Sequence, residues 1–179
     1  MGIKKETASL QLRKIVPEDR AMIFKGLSDP EVVRFYGISF KNFDESLSQM
    51  EWYDKLEKEG TGYMRVLEDK NTGLFMGVGG FYHIDKENRK AEIGLWLLPQ
   101  FWGKGIMGQF LREIFEIAFE GFSLNRLEGF VEPQNHACIR SLEKSGFQYE
   151  GTLRETEFKQ GTAVDLRIYS LLANEYQKK

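Results

Sequence analysis

The stretch Gln100-Phe101-Trp102-Gly103-Lys104-Gly105-Ile106-Met107-Gly108 decides the fold of this chain. It lies between a predicted strand, 91–98, and a predicted helix that runs to about residue 120. Glycines at 103, 105 and 108 let the backbone approach a ligand closely. The first N–H groups of the helix that follows have no partner within the helix and point outward. A glycine-rich loop that leads into a helix start is typical of a phosphate-binding site.

The glycine spacing also satisfies the dinucleotide pattern G-x-G-x-x-G, with Glu132 ending the next predicted strand. Against this interpretation, four residues, 99–102, separate the strand from the first glycine, and two of them are bulky aromatics. One short helix and two strands follow Glu132, which is too little chain for a doubly wound sheet. A Walker A loop is excluded because Lys104 is followed by Gly105 instead of Ser or Thr, and residue 98 is not glycine.

Composition indicates an ordinary globular protein of 179 residues, with 41% hydrophobic and 29% charged residues. The net charge of −2 offers no broad basic field, so we expect no nucleic-acid partner. Cys138 is the one cysteine, so an intrachain disulfide is impossible and a cytoplasmic location is favoured. Because no apolar run reaches membrane-spanning length and the first residues lack a signal-peptide core, we expect no membrane partner.

Outward from the loop, apolar periodicity and turn residues predict a mixed order of elements. Strands are expected at 10–15, 63–68, 75–84, 91–98, 126–131, 147–153 and 163–172. Helices are expected at 17–27, 28–35, 44–59, 105–120 and 135–146, with Asp44 and Asn135 as N-caps and Gly146 ending the last one. The long helix should bury one face, formed by Met107, Phe110, Leu111, Ile114, Ala118 and Phe122. The whole chain, 1–179, is predicted to be one α/β (α+β) domain with a largely antiparallel sheet and a βαβ unit.

Several motifs in this order together resemble the GNAT superfamily of N-acetyltransferases, and within it the RimJ/RimL-like branch. The segment Gln100-x-x-Gly103-x-Gly105 resembles the acetyl-CoA pyrophosphate loop of that family. The match spans roughly residues 10–172, and it extends to Leu12-Arg13, Asp29-Pro30-Glu31-Val32, Ala91-Glu92-Ile93-Gly94-Leu95-Trp96-Leu97, Asn125-Arg126-Leu127-Glu128, and Asn135 with Ser141 and Gly146-Phe147.

The resemblance implies a central sheet flanked by helices, in which the strand before the loop splays from its neighbour to admit the pantetheine arm of acetyl-CoA. Backbone groups of Leu95, Trp96 and Leu97 would bond that arm, and one of their N–H groups would polarise the thioester carbonyl. Asn135 would contact the arm, or serve only as a helix cap. The pyrophosphate would be bound by the flanking Gln100 and by the loop itself, Trp102, Gly103, Lys104, Gly105, Ile106, Met107 and Gly108. No metal is implied, because His83 and His136 have no ligand partners at a useful spacing.

Catalysis in this family is direct attack of an amine on the thioester, as the resemblance implies. Ser141 stands where RimL-type enzymes carry a serine proposed to protonate the leaving thiolate. Other branches, including spermidine acetyltransferases, have a tyrosine one position later; Leu142 here argues against the polyamine branch. Glu157 matches a glutamate placed near the amine, and Glu92 is the rival general base. Each of the three is otherwise an ordinary surface serine or carboxylate.

The acceptor is expected to be a primary amine, which could be the α-amino group of a ribosomal or other protein. A small-molecule amine and a CoA-binding module without catalysis are the alternatives. Acceptor specificity would lie in residues 28–60, where four of the aromatic residues are either pocket lining or core; these are Phe40, Phe43, Trp52 and Tyr53. Cys138 is interpreted as a small core residue, and a monomer or homodimer is expected.

Overall fold

A computed structural model describes residues 9–176 of the chain. The strands are β1 (Leu10–Arg13), β2 (Tyr63–Asp69), β3 (Phe75–Asp85), β4 (Lys90–Leu97), β5 (Arg126–Val131), β6 (Gln148–Lys159) and β7 (Thr162–Leu172). The helices are α1 (Arg20–Leu27), α2 (Pro30–Val33), α3 (Leu47–Glu59), α4 (Ile106–Glu116) and α5 (His136–Lys144). Short 3-10 turns lead into α1, α3 and the glycine-rich loop.

The seven strands form one sheet in the order β1-β2-β3-β4-β5-β7-β6. Five neighbouring pairs are antiparallel, and β4–β5 is the parallel pair. Helix α4 connects those two strands, which makes the predicted βαβ unit. A sheet with one parallel pair is not doubly wound, so the dinucleotide interpretation is not supported by the fold.

The sheet buries an apolar layer on each face. On one face α4 and α5 cover a core that includes Phe81, Phe110, Leu127 and Tyr169. On the other face α1, α2 and α3 cover a second core that includes Ile23, Val66 and Trp96. Side chains alternate along β4, so Glu92 and Trp96 point to the α1–α3 face whereas Ala91 and Leu97 point to the α4–α5 face.

The β4–β5 pair separates after three residues. Its parallel register ends where Glu92 pairs with Glu128. Beyond that point β4 continues along β3 as far as Leu97, and β5 continues along β7 as far as Val131. The two strands therefore leave a gap between them, called the splay below, which confirms the predicted splayed pair.

The predicted element order is confirmed, although several bounds and details differ from prediction. Asp44 begins a 3-10 turn, and its side chain does not cap α3. Strand β6 continues to Lys159, six residues past its predicted end at Leu153, because its polar second half still pairs with β7. Phe122 is 41% exposed, since the helix changes to a π-turn over Ile117–Gly121 and loses its apolar phase. In the described part of the chain, no helix is long and apolar enough to span a membrane.

Candidate active site

The glycine-rich loop presents an open helix start. Gly105 is the N-cap of α4 in a left-handed conformation, with φ of 76°, and no side chain caps the helix. Gly103 is also left-handed, with φ of 69°, and no atom lies within 4 Å of where its Cβ would be. The first N–H groups of α4 therefore face outward beside an unobstructed backbone. That arrangement fits a pyrophosphate, because the helix dipole and the free N–H groups both favour an anion.

Trp102 fixes the loop against the end of β4. Its indole Nε1 donates a hydrogen bond of 2.9 Å to the carbonyl of Leu97, and the ring is 44% exposed. Lys104 lies 5.6 Å above the ring of Phe101 and is solvent exposed. The loop therefore carries a positive charge beside the helix start and is anchored to the last residue of the strand that borders the splay.

Backbone direction along β4 identifies which of its residues face the splay. The amide of Leu98 donates to the carbonyl of Met76, near the start of β3, at 2.9 Å. In an antiparallel ladder alternate residues turn both backbone groups toward the partner strand. Trp96 therefore bonds β3, and Leu95 and Leu97 turn toward the splay. Three residues were predicted to bond the pantetheine arm. The backbone groups of one of them, Trp96, face β3 and not the splay.

Glu92 lies where the splay begins, and its carboxylate is held by two neighbours from β3. The hydroxyl of Tyr82 donates to Oε1 at 2.6 Å, and Nδ1 of His83 lies 3.2 Å from Oε2. The side chain of Glu92 is 24% exposed, whereas the ring of His83 is 70% exposed. Glu92 is thus sheltered at the splay, whereas His83, which contacts it, reaches solvent.

A bulge in β3 produces this arrangement. Tyr82 pairs with Glu92 and Asp85 pairs with Lys90, so β3 carries one residue more than β4 between these pairs. His83 takes a left-handed conformation with φ of 52°. In a regular strand Tyr82 and His83 would point to opposite faces, but the bulge directs both to one carboxylate. The sequence contains no signal for the bulge, and neither residue was among the predicted site residues.

Aromatic side chains from residues 28–60 lie near Glu92 and Tyr82. The rings of Trp52 and Tyr82 lie edge to face with centroids 5.5 Å apart. Burial raises the pKa of Tyr82 far above its ordinary value, and the charges of Glu92 and Glu157 add to the rise. Burial likewise raises the pKa of Tyr36, with contributions from Tyr82 and Glu92. Both phenols therefore remain protonated donors near Glu92. Phe43, in contrast, stacks under Arg20, 4.1 Å from its guanidinium, and covers the start of α1.

Glu157 reaches this neighbourhood from β6. It follows a second bulge, in which Arg154, Glu155 and Thr156 lie opposite Asp165 alone. Glu155 is left-handed, with φ of 50°, and its amide donates to Asp165 Oδ1 at 2.8 Å. The side chain of Glu157 is exposed, and its charge acts on Tyr82. The two predicted bases, Glu92 and Glu157, are therefore brought to the same side of the sheet.

Lys159 ties the end of β6 to two other elements. Its ammonium pairs with the carboxylate of Glu132, just after β5, and donates to the carbonyl of Arg34 at 3.2 Å. The β6–β7 hairpin is thereby connected to the loop after α2. Glu132, the residue that a dinucleotide site would need for the ribose, is already engaged in this ion pair.

Helix α5 places Ser141 and Asn135 on the α4–α5 face of the sheet. The Asn135 side chain accepts from the amide of Cys138 at 3.2 Å, so it is an N-cap as predicted. Ser141 is half-buried, and its hydroxyl donates to the carbonyl of Ala137 at 3.0 Å. Burial raises the pKa of Cys138 to about 11, which keeps the thiol protonated near neutral pH. Leu142 is buried against Gly129 of β5.

Two further properties of residues 9–176 bear on the site. No group of three or more histidine, cysteine, aspartate or glutamate side chains in that range could hold a metal ion. A cavity of about 420 Å³ lies between α3 and the link from β1 to α1. Its lining includes none of Glu92, Ser141 and Glu157, so the cavity is separate from these candidate catalytic residues.

Comparison with known proteins agrees with this geometry. The family described as acetyltransferase (GNAT) domain matches residues 9–148. An uncharacterised N-acetyltransferase of Bacillus licheniformis, p20, is 35% identical over 171 residues, which are 95% of this chain and 96% of that protein. The ribosomal-protein-serine acetyltransferase of Escherichia coli is 28% identical over 109 residues, 61% of each protein. A crystal structure of spermidine N-acetyltransferase from Vibrio cholerae with CoA and spermine has a TM-score of 0.83 at 23% identity, covering 93% of this chain and 96% of that one.

The family match covers most of the chain, and the open start of α4 beside the splay fits the phosphate-bearing acetyl donor of that family. The chain therefore belongs to the GNAT acetyltransferase family and is an acetyl-CoA-dependent N-acetyltransferase.

Proposed function

We propose that the enzyme acetylates a primary amine at the splay, with Glu92 as the group that accepts the amine proton. The observation that carries this proposal is the position of Glu92, sheltered where β4 and β5 separate and held by Tyr82. A carboxylate held in such a place can take a proton from an ammonium group directly or through one water. Glu157 is the second candidate, and its exposure suits it better to attract the cationic acceptor.

The donor would lie along the splay. Its pyrophosphate would be bound by N–H groups of 102–108, with Gln100 and Lys104 at the rim. Its arm would be bonded by the backbone of Leu95 and Leu97, near Asn135 of α5. The bound acetyl-CoA supplies the acetyl group as a thioester, which a neutral amine can attack. A splay-facing N–H of β4 would stabilise the charge that develops on the carbonyl oxygen.

The leaving thiolate needs a proton, and Ser141 is the proposed donor. Its hydroxyl now bonds the carbonyl of Ala137 and would have to turn from it toward the sulfur. Glu92 gains one proton from the amine and Ser141 gives one to the thiolate. Exchange with solvent must therefore restore both side chains before the next turnover.

For the acceptor we propose the α-amino group of a protein, in the manner of the RimJ/RimL-like branch, at a cytoplasmic location. Support comes from Leu142 in place of a tyrosine, and from the low-identity relative named for ribosomal-protein acetylation. A small cationic amine is the second candidate, since Tyr36, Trp52 and Tyr82 stand beside two carboxylates and aromatic faces attract cations.

An acceptor panel tests the proposal. Thiol release from acetyl-CoA would be measured with peptides that differ only in their first residue, with the same peptides blocked at the amino terminus, and with polyamines. Release with free but not blocked peptides is the expected result. Release with polyamines alone would replace the protein acceptor by the small amine, and no release with any amine would contradict the enzymatic proposal.

A further inference from the structure

We propose that His83 carries the amine proton from Glu92 to solvent, so that the two side chains form the proton exit of the active site. This inference rests on the proposed role of Glu92 as the proton acceptor. It extends that role to a residue whose position in the sequence gives no sign of function.

The backbone at His83 is the first observation. A left-handed conformation is uncommon outside glycine and is unfavourable for a residue with a side chain, so it persists where the surroundings require it. Here the β3 bulge and this conformation together bring Nδ1 of His83 to within 3.2 Å of Glu92 Oε2. The strain thus accompanies a contact between a basic group and the proposed base.

The shape of the group is the second observation. Tyr82 contacts Oε1 of Glu92 from the buried side, and Trp52 packs against the ring of Tyr82. His83 contacts the other oxygen, Oε2, and 70% of its side chain is exposed. A proton received at Glu92 therefore has a sheltered donor on one oxygen and a solvent-accessible acceptor on the other.

The surrounding charges leave this path to His83. Among residues 9–176, His83 is the basic side chain that contacts Glu92. Glu128 lies opposite Glu92 on β5, and it is paired with Lys90 and Arg126. Glu157 from β6 acts on the phenol of Tyr82, and Tyr53 from α3 acts on that of Tyr36, so the other charged or titratable groups recorded around Tyr82 and Tyr36 are acids and phenols.

The transfer balances in three steps. The ammonium acceptor loses one proton to Glu92, and the neutral amine attacks the thioester. The protonated Glu92 gives that proton to Nδ1 of the neutral imidazole, whose hydrogen is on Nε2. The imidazolium then loses the Nε2 proton to water or buffer, and solvent exchange restores the starting tautomer.

Nitrogen NMR of the imidazole rings tests the contact without requiring turnover. The chain has two histidines, His83 and His136, so a His136→Asn variant assigns both sets of signals. We expect Glu92→Gln to shift the Nδ1 signal of His83 and to leave that of His136 unchanged. An unchanged His83 signal would overturn the proposal.

Kinetics test the proton path itself, with an acceptor found by the panel. His83→Asn is the variant of choice, because asparagine tolerates the left-handed conformation but cannot take a proton. In dilute non-nucleophilic buffer we expect its kcat to fall about tenfold or more, with KM for acetyl-CoA unchanged. Added imidazole should restore kcat, and His136→Asn should match the wild type with and without imidazole.

The outcomes separate the two proposals. A wild-type rate in His83→Asn, or a loss that imidazole does not restore, would overturn the proton path while the proposed function stands. Absence of wild-type turnover with every acceptor would overturn the proposed function, and the proton path with it.

Discussion

The hydroxyl of Tyr82 donates a 2.6 Å hydrogen bond to Oε1 of Glu92, across the register pair that joins β3 to β4 at the start of the splay. The bond holds the carboxylate in one orientation, and the raised pKa of Tyr82 keeps the phenol a donor. The sheet thus positions the proposed base through its neighbouring strand.

Removing this donor should slow the reaction without weakening donor binding. Hydrogen bonds to charged groups contribute about 1.5–3 kcal/mol, so Tyr82→Phe is expected to lower kcat about 10- to 100-fold. Tyr149→Phe is the matched control, because Tyr149 is exposed on β6 and bonds Thr152. Steady-state kinetics would decide, and equal kcat values for the two variants would show that Tyr82 does not position Glu92.

At the open start of α4, one substitution should remove donor binding without lowering the stability of the free protein. Near Gly108 the nearest atom to an added Cβ is Arg112 Nη1 at 3.9 Å, so a side chain fits. Gly108→Asp should keep or raise the Tm of the free protein, because an acidic residue suits the first turn of a helix. Its charge should repel the pyrophosphate and abolish the thermal stabilisation by CoA.

Gly121→Asp, at the far end of the same helical segment, has open space and serves as the control for donor binding. It is expected to keep the CoA-induced rise in Tm. If Gly108→Asp keeps that rise as well, the first turn of α4 is not the pyrophosphate site.

Cys138 is expected to be unreactive and dispensable. With its pKa raised to about 11 by burial, the thiolate fraction should be very small at pH 8 and should grow only as the pH approaches 11. Alkylation at pH 8 should therefore be much slower than that of glutathione, and Cys138→Ser should retain turnover. Rapid alkylation at pH 8 or loss of turnover in Cys138→Ser would contradict its assignment as a core residue.

Gly26 of α1 gives a stability prediction opposite to helix propensity. Alanine normally stabilises a helix interior by about 0.5–1 kcal/mol relative to glycine. Here an added Cβ would lie 2.1 Å from the ring of Trp96. We expect Gly26→Ala to lower the free energy of unfolding by about 1–3 kcal/mol, measured by denaturant titration. Gly37→Ala, where nothing lies within 4 Å, is the control, and equal or greater stability of Gly26→Ala would contradict the packing described.

Much of the fold could be predicted because apolar periodicity and turn glycines are local signals. The strand at Arg126–Val131 and the cap of α5 by Asn135 agree with prediction for that reason. The end of β6 could not be predicted, since its second half is polar and exposed and depends on pairing with β7. The helical pattern predicts a buried Phe122, but the π-turn over Ile117–Gly121 changes the helical phase and has no sequence signal.

Only part of the candidate site could be predicted from the sequence. The glycine-rich loop and Glu92 follow from the motifs, whereas His83 and Tyr82 depend on a bulge. Adjacent residues in a strand are expected on opposite faces, so a sequence pattern separates Tyr82 from His83. Only the register between β3 and β4 reveals that both contact Glu92.

Glu92 has the central role in the proposed reaction, and a comparison of two variants tests that role directly. Turnover of an identified amine acceptor would be measured for Glu92→Gln and Glu157→Gln, together with CoA-induced thermal stabilisation of each. We predict that Glu92→Gln lowers kcat at least about 100-fold with donor binding intact, and that Glu157→Gln mainly raises KM for the acceptor. Near-normal kcat in Glu92→Gln, with the large loss in Glu157→Gln instead, would contradict the account.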